Sequence, residues 1–143
     1  MRVMIDKMRS QQIFINLISN AIKFSKPFDK IFIEICKPEC IDSSLGRWEF
    51  MFKVTDQGMG INDVDRKNLF KPFFKSSSKQ SRQANTNSNG IGLNVSKRMA
   101  KVLDGDLVLS DKYRDGCQFI LTMVMKRVEK TEQQQSNYRV RGS

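Results

Sequence analysis

Within Gln11–Ser25 (QQIFINLISNAIKFS), two carboxamides and an ammonium fall in register: Asn16, Asn20 and Lys23. On a helix, steps of four and three residues place them on one side over roughly two turns. Such a row can meet a metal ion and a line of phosphate oxygens; the bland alternative is a solvated amide stripe. Asn20 offers a hard amide oxygen for Mg²⁺, an ion that takes few protein ligands and leans on phosphates and water. Further on, Asp56-Gln57-Gly58-Met59-Gly60 ends a strand with an acceptor-only carboxylate, suited to an exocyclic amino group such as that of adenine. Gly90-Ile91-Gly92 opens a second helix, where free N–H groups and the helix dipole favour phosphate. One glycine pair alone is weak evidence. Neither Walker pattern is present.

The elements that must position these groups follow from periodicity. Ile13, Leu17, Ala21 and Phe24 recur at helical steps, predicting a helix from about Lys7 to Ser25 that stops before Lys26-Pro27. Met1–Asp6 reads as a strand end or lead-in. Lys30–Lys37 alternates Ile31, Ile33 and Ile35 with polar residues, a half-buried strand. Pro38–Gly46 reads as a loop, and Arg47–Thr55 as a second strand antiparallel to the first. A short helix is expected over Asn62–Leu69, then an aromatic cluster broken by proline at Phe70–Lys75 (FKPFFK). Ser76–Asn89 is polar and low in complexity, a mobile loop. Helix returns over Ile91–Leu103, followed by strands at Asp106–Asp111 and Cys117–Met125. The order predicts an α+β two-layer sandwich, helices covering one face of a mixed, mainly antiparallel sheet. Residues 1–126 would form the domain and residues 127–143 a charged tail or linker.

Composition narrows the function classes. The chain has 143 residues, 39% of them hydrophobic, with ten Phe, enough for a real core. No apolar run reaches membrane-spanning length, so a cytoplasmic domain is the expectation, within a full-length protein that can still be membrane-attached. There is no His, and Cys36, Cys40 and Cys117 are scattered, a poor metal set. The same absence excludes Ser–His–Asp and Cys–His machinery in cis. The formal net charge is +10, and from Arg66 to Lys101 basic residues occur without any Asp or Glu. That zone would draw in a polyanion: a nucleotide's polyphosphate, an acidic partner or nucleic acid.

Taken together, the motifs resemble the ATP-binding catalytic domain of sensor histidine kinases, in the GHKL superfamily with its Bergerat fold. Asp6–Ser25 resembles the N box and Val54–Ile61 (VTDQGMGI) the first glycine box. Leu69–Lys75 is similar to the F box, Asn89–Leu107 to the second glycine box with its helix, and Asp115–Met123 to the closing strand. The matches run in family order from about Asp6 to Met125, and the sheet is expected to lack an N-terminal strand.

The resemblance implies two cofactors, ATP and Mg²⁺. Asn20 would hold the metal, with Asn16 and Lys23 on the phosphates. Asp56 would take the adenine amino group, and Gly58, Gly60 and Ile61 would shape that pocket. Asn89, Gly90, Ile91, Gly92 and Leu93 would carry the chain beneath the phosphates, Ser76–Asn89 would be a lid, and Phe70 and Phe73 would anchor its base. Asn16 stands where the hydrolases of the superfamily resemble one another in a water-activating Glu, and an amide is no general base. The implied activity is transfer of the γ-phosphate to a histidine on a separate helical domain, in a two-component phosphorelay. Implied partners are that upstream dimerisation domain and a response-regulator receiver domain, with homodimers forming only through helices absent here. With the kinase reading no nucleic acid is expected as a partner; two alternatives stand beside it, a nucleotide-binding module that moves no phosphate and a basic nucleic-acid or acidic-surface binder.

Overall fold

In the computed structural model, residues 1–76 and 90–128 are described. Strand β1 (Val3–Met4) leads into helix α1 (Lys7–Phe24), which starts where the Asp6 carboxylate accepts from the Arg9 amide at 2.9 Å. Then come β2 (Ile31–Ile35), β3 (Glu39–Asp42), β4 (Arg47–Asp56) and the one-turn helix α2 (Asp63–Arg66). Helix α3 (Gly92–Val102), β5 (Asp106–Leu109) and β6 (Cys117–Arg127) complete the described chain.

The sheet is built on β4 and β6, which pair along their full shared length from Arg47↔Lys126 to Asp56↔Cys117. On the far side of β6 lie β5 and the two-residue β1, and on the far side of β4 lie β2 and β3. Every pairing among the described residues is antiparallel. The α+β architecture expected from the element order is therefore present, and β1 holds the sheet's N-terminal position with only two residues.

Alternation decides which face the helices cover. Cys117, Phe119, Leu121, Met123 and Met125 of β6 are buried, with Phe52 and Val54 beside them on β4. Ile13, Leu17 and Ala21 of α1 and Ala100 of α3 close over them. Burying a side chain the size of Ile13 or Leu17 contributes about 1.5–3 kcal/mol.

Several local readings differ from the structure: the helix expected over Asn62–Leu69 covers only Asp63–Arg66, and the strand expected to reach Asp111 ends at Leu109. The Pro38–Gly46 segment contains β3, which pairs with β4 across a register shift between Cys40 and Asp42. Its turn is closed by Asp42, whose Oδ1 accepts from the Leu45 amide and the Ser44 hydroxyl. Turn-forming composition hid a strand whose partner is the long β4. β6 in turn runs on to Arg127, two residues past the expected end.

Candidate nucleotide-binding site

An open cavity of ≈ 390 Å³ lies between α1, the end of β4 and the N-terminus of α3. Its size falls within the usual range of small-molecule sites. Asn16, Asn20 and Lys23 all line it, so the polar stripe of α1 is its wall. The same cavity meets Asp56, Gly60 and Ile61 on one side and Gly90, Ile91, Gly92 and Leu93 on another.

α1 runs between the two ends of this cavity. At one end, a Cβ on Gly92 would lie 2.4 Å from Asn16 Oδ1, so the amide occupies the space that a side chain would take. Asn16 Nδ2 donates to Ser96 Oγ at 2.9 Å, holding α1 against the first turns of α3. Among the described residues no side-chain hydrogen bond caps α3, whose first residues line the cavity beside the amide wall. Gly90 has φ +65°, and a Cβ there would meet the Phe74 carbonyl oxygen at 2.5 Å. At the other end, the Met59 amide donates to the Phe24 carbonyl at 3.4 Å, bringing the Asp56–Gly60 turn to the C-terminus of α1. From Asn16 to Phe24 a helix rises about 12 Å.

Asp56 is 4% exposed. Its Oδ1 accepts from the Gly58 amide at 2.9 Å and the Cys117 amide at 3.2 Å, while Oδ2 takes no donor among the described residues. Burial raises the affinity of this carboxyl for its proton, and the two amides only partly oppose that. Beneath it, burial first and the Asp56 charge second push the Cys117 thiol up to about 12. Lys23 is shifted the other way, by partial burial and then by the Lys75 ammonium, as a group in a positive potential should be.

Gly58 stands behind Asp56 as an amide donor and does not line the cavity. Phe70 packs edge-on against Phe119 at 6.4 Å and under the Lys97 ammonium at 4.6 Å, a core position beside the site. Phe73 is 73% exposed with φ +58° and lies away from the cavity. Asn89 and the stretch from residue 77 to it lie outside the described residues, and with them most of the expected lid.

Ser19, Phe24, Leu69, Phe74, Cys117 and Phe119 line the cavity without having been expected there, and Ser76, the first residue of the expected lid, lines it too. Cys117 could have been inferred only from its register opposite Asp56. Phe74 borders the F-box-like cluster and touches the loop before α3 through its carbonyl.

Part of the basic zone has structural partners. Arg66, with a side chain only 9% exposed, donates to the carbonyls of Ile61 and Ser110. Lys97 and Lys101 both pair with Asp106 at 3.0 Å. Asn94 Nδ2 bonds the Phe70 carbonyl at 2.8 Å, tying α3 to the aromatic cluster.

For a divalent cation, the cavity offers the Asn16 and Asn20 amide oxygens on the α1 wall and the Asp56 carboxylate at its end. Among the described residues no group of three or more His, Cys, Asp or Glu forms a protein-only cage. One such amide oxygen beside room for phosphates and water fits Mg²⁺, which is seldom caged by protein alone.

Residues 5–127 match the family described as histidine kinase-, DNA gyrase B- and HSP90-like ATPases. The virulence sensor protein BvgS of Bordetella bronchiseptica is 29% identical over 131 residues, 92% of this chain and 10% of its own length. The autoinducer 2 sensor kinase/phosphatase LuxQ of Vibrio vulnificus is 29% identical over 90% of this chain and 14% of its own. The chain thus spans about a tenth to a seventh of such relatives. Among solved structures, the mycobacterial sensor histidine kinase MprB superposes with a TM-score of 0.65 at 22% identity, covering 88% of this chain and 78% of that one. Full-length ShkA in complex with AMPPNP gives 0.62 at 22% identity over 90% of this chain and 24% of its own. These likenesses establish the fold, and the family match establishes descent: the chain belongs to the histidine kinase-, DNA gyrase B- and HSP90-like ATPase family.

Proposed function

We propose that this chain is the ATP-binding catalytic domain of a sensor histidine kinase, presenting Mg·ATP to a histidine on a separate helical domain. The observation that carries the reading is the single cavity wall formed by Asn16, Asn20 and Lys23, with Asp56 at one end and the α3 N-terminus at the other.

In this reading Asp56 Oδ2 accepts from the adenine amino group, while the Gly58 and Cys117 amides hold the carboxylate in place. Lys23 and the N–H groups opening α3 take the phosphates. Asn16, fixed by Ser96, lines the floor where the chain end of the triphosphate would lie. Asn20 would hold Mg²⁺, which when bound offsets charge on the phosphates. α1 carries no carboxylate between Asp6 and Asp29 to activate water. Catalysis by this chain is then positioning and charge neutralisation, with the acceptor supplied from outside.

The kinship with sensor proteins named BvgS and LuxQ supports a two-component setting, with a dimeric histidine-bearing domain and a receiver domain as partners. In this reading the domain expected over residues 1–126 is extended by Arg127, the last residue of β6, and the rest to residue 143 serves as a linker. Incubation with γ-labelled ATP and a histidine-bearing helical domain tests this. Label on the histidine, lost in Asn20→Ala, supports it; nucleotide binding with no label on any histidine partner favours the module that moves no phosphate.

A further inference from the structure

β2 forms an edge of the sheet: it pairs with β4 and, among the described residues, with nothing on its other side. It is an unusual edge. Phe32 is 47% exposed, Ile33 53% and Ile35 70%, so apolar surface shows on both faces of the strand. Bare edges with apolar side chains are templates for pairing.

The backbone fixes which groups are offered. The Cys36 amide donates to the Met51 carbonyl and the Lys30 amide to Gln57 Oε1, so even-numbered residues turn their backbone groups toward β4. By the alternation of an antiparallel ladder, Ile31, Ile33 and Ile35 turn theirs outward.

We propose that two copies of this chain join through β2, edge to edge and antiparallel, about a twofold axis at Phe32. Ile31 of each copy then forms a hydrogen-bonded pair with Ile33 of the other, the parity that the free edge requires. Phe32 meets its own counterpart in a close, non-hydrogen-bonded pair. Lys30 of each copy falls opposite Glu34 of the other, two ion pairs from one strand. Both neighbouring symmetric registers lose this match: centred on Ile33, Phe32 would face Glu34 and Lys30 would face Cys36, and centred on Ile31, Phe32 would face Lys30 and Glu34 would face Phe28.

The flank of α1 favours the same closure. Phe14 packs edge-on against Phe52 at 5.1 Å, and Phe52 is the register partner of Ile35. Ile18 and Ile22 continue the Phe14 row along α1, with Ile22 63% exposed. Joined sheets set the two α1 flanks on one face, either side of the Ile31–Ile33 strip. This contact is additional to dimerisation through upstream helices, and it does not rest on the nucleotide site.

Sedimentation velocity of the full chain over a range of concentrations tests it. The expected result is a reversible dimer that Glu34→Lys or Lys30→Glu weakens about tenfold and that the double swap Lys30→Glu/Glu34→Lys restores. Both residues are exposed, so circular dichroism should show the fold unchanged. Amide exchange should slow at Ile31 and Ile33 in the dimer only. A chain that stays monomeric at its highest soluble concentration overturns the proposal, as does a dimer indifferent to both single swaps. Equal protection of Ile31 in the dilute monomer would mean that another segment of the chain holds the edge, and also overturns it.

Discussion

Asn16 Nδ2 donates to Ser96 Oγ at 2.9 Å, across 80 residues of sequence, and Ser96 is 1% exposed. This bond joins the helix bearing the polar wall to the helix whose N-terminus faces it. Ser96→Ala removes the hydroxyl with little change in volume, leaving a part-buried amide unsatisfied. It should cost about 1–3 kcal/mol of stability and release the Asn16 side chain. Chemical denaturation beside nucleotide titration checks both; an unchanged stability would show that the bond contributes nothing.

Gly92 and Gly90 should respond differently to Ala. At Gly92 the atom in the way is the end of the Asn16 side chain, which can move. Ala also favours a helix. Gly92→Ala should displace Asn16 and so cost about what the Asn16–Ser96 bond contributes, partly offset by the gain in helix propensity, while nucleotide affinity falls about tenfold or more. At Gly90 a backbone carbonyl blocks the Cβ and φ is +65°, so Gly90→Ala should destabilise by about 1–2 kcal/mol. Parallel melting and calorimetry separate the two.

Asp56 links pH to both folding and binding. Burial raises its folded pKa, so between the ordinary carboxylate value and the raised one the native state binds the extra proton. Its contribution to stability is therefore full in acid and is lost as pH rises through the folded value. Asp56→Asn should flatten that part of the stability–pH curve and be at least as stable as the parent at neutral pH. It should also lose nucleotide affinity on the order of 100-fold, since an amide can turn a donor toward adenine's amino group. Urea titrations across pH, with calorimetry at neutral pH, check each half.

Cys40 and Cys117 should separate cleanly toward a thiol reagent. Cys40 is exposed, whereas Cys117 is buried with its thiol pushed up to about 12. Only the thiolate reacts. Maleimide at neutral pH should label Cys40 rapidly and spare Cys117 until the protein unfolds; mass spectrometry of the peptides reads this directly.

Much of the site was legible because it is local. Asn16, Asn20 and Lys23 are neighbours on one helix, and a spacing rule suffices to align them. Asp56 and Gly60 belong to one turn, as do Gly90 and Gly92. What periodicity could not supply was register: Cys117 reaches the cavity because β6 pairs Asp56↔Cys117. Composition misled at β3, where Pro38, Ser43, Ser44 and Gly46 outweighed a short strand completed by β4. Phe73 shows the limit of a motif, since FKPFFK does not say which rings turn inward; Phe70 does and Phe73 does not.

The proposed function stands or falls with a Mg·ATP site in which Asn20 would be the metal ligand. Calorimetric titration with a non-hydrolysable ATP analogue, with and without Mg²⁺, on the parent chain and Asn20→Ala, tests it most directly. The account predicts micromolar binding that Mg²⁺ strengthens in the parent and no longer strengthens in Asn20→Ala. A folded parent that binds no analogue, or an Asn20→Ala protein with the same Mg²⁺-dependent affinity, would contradict it.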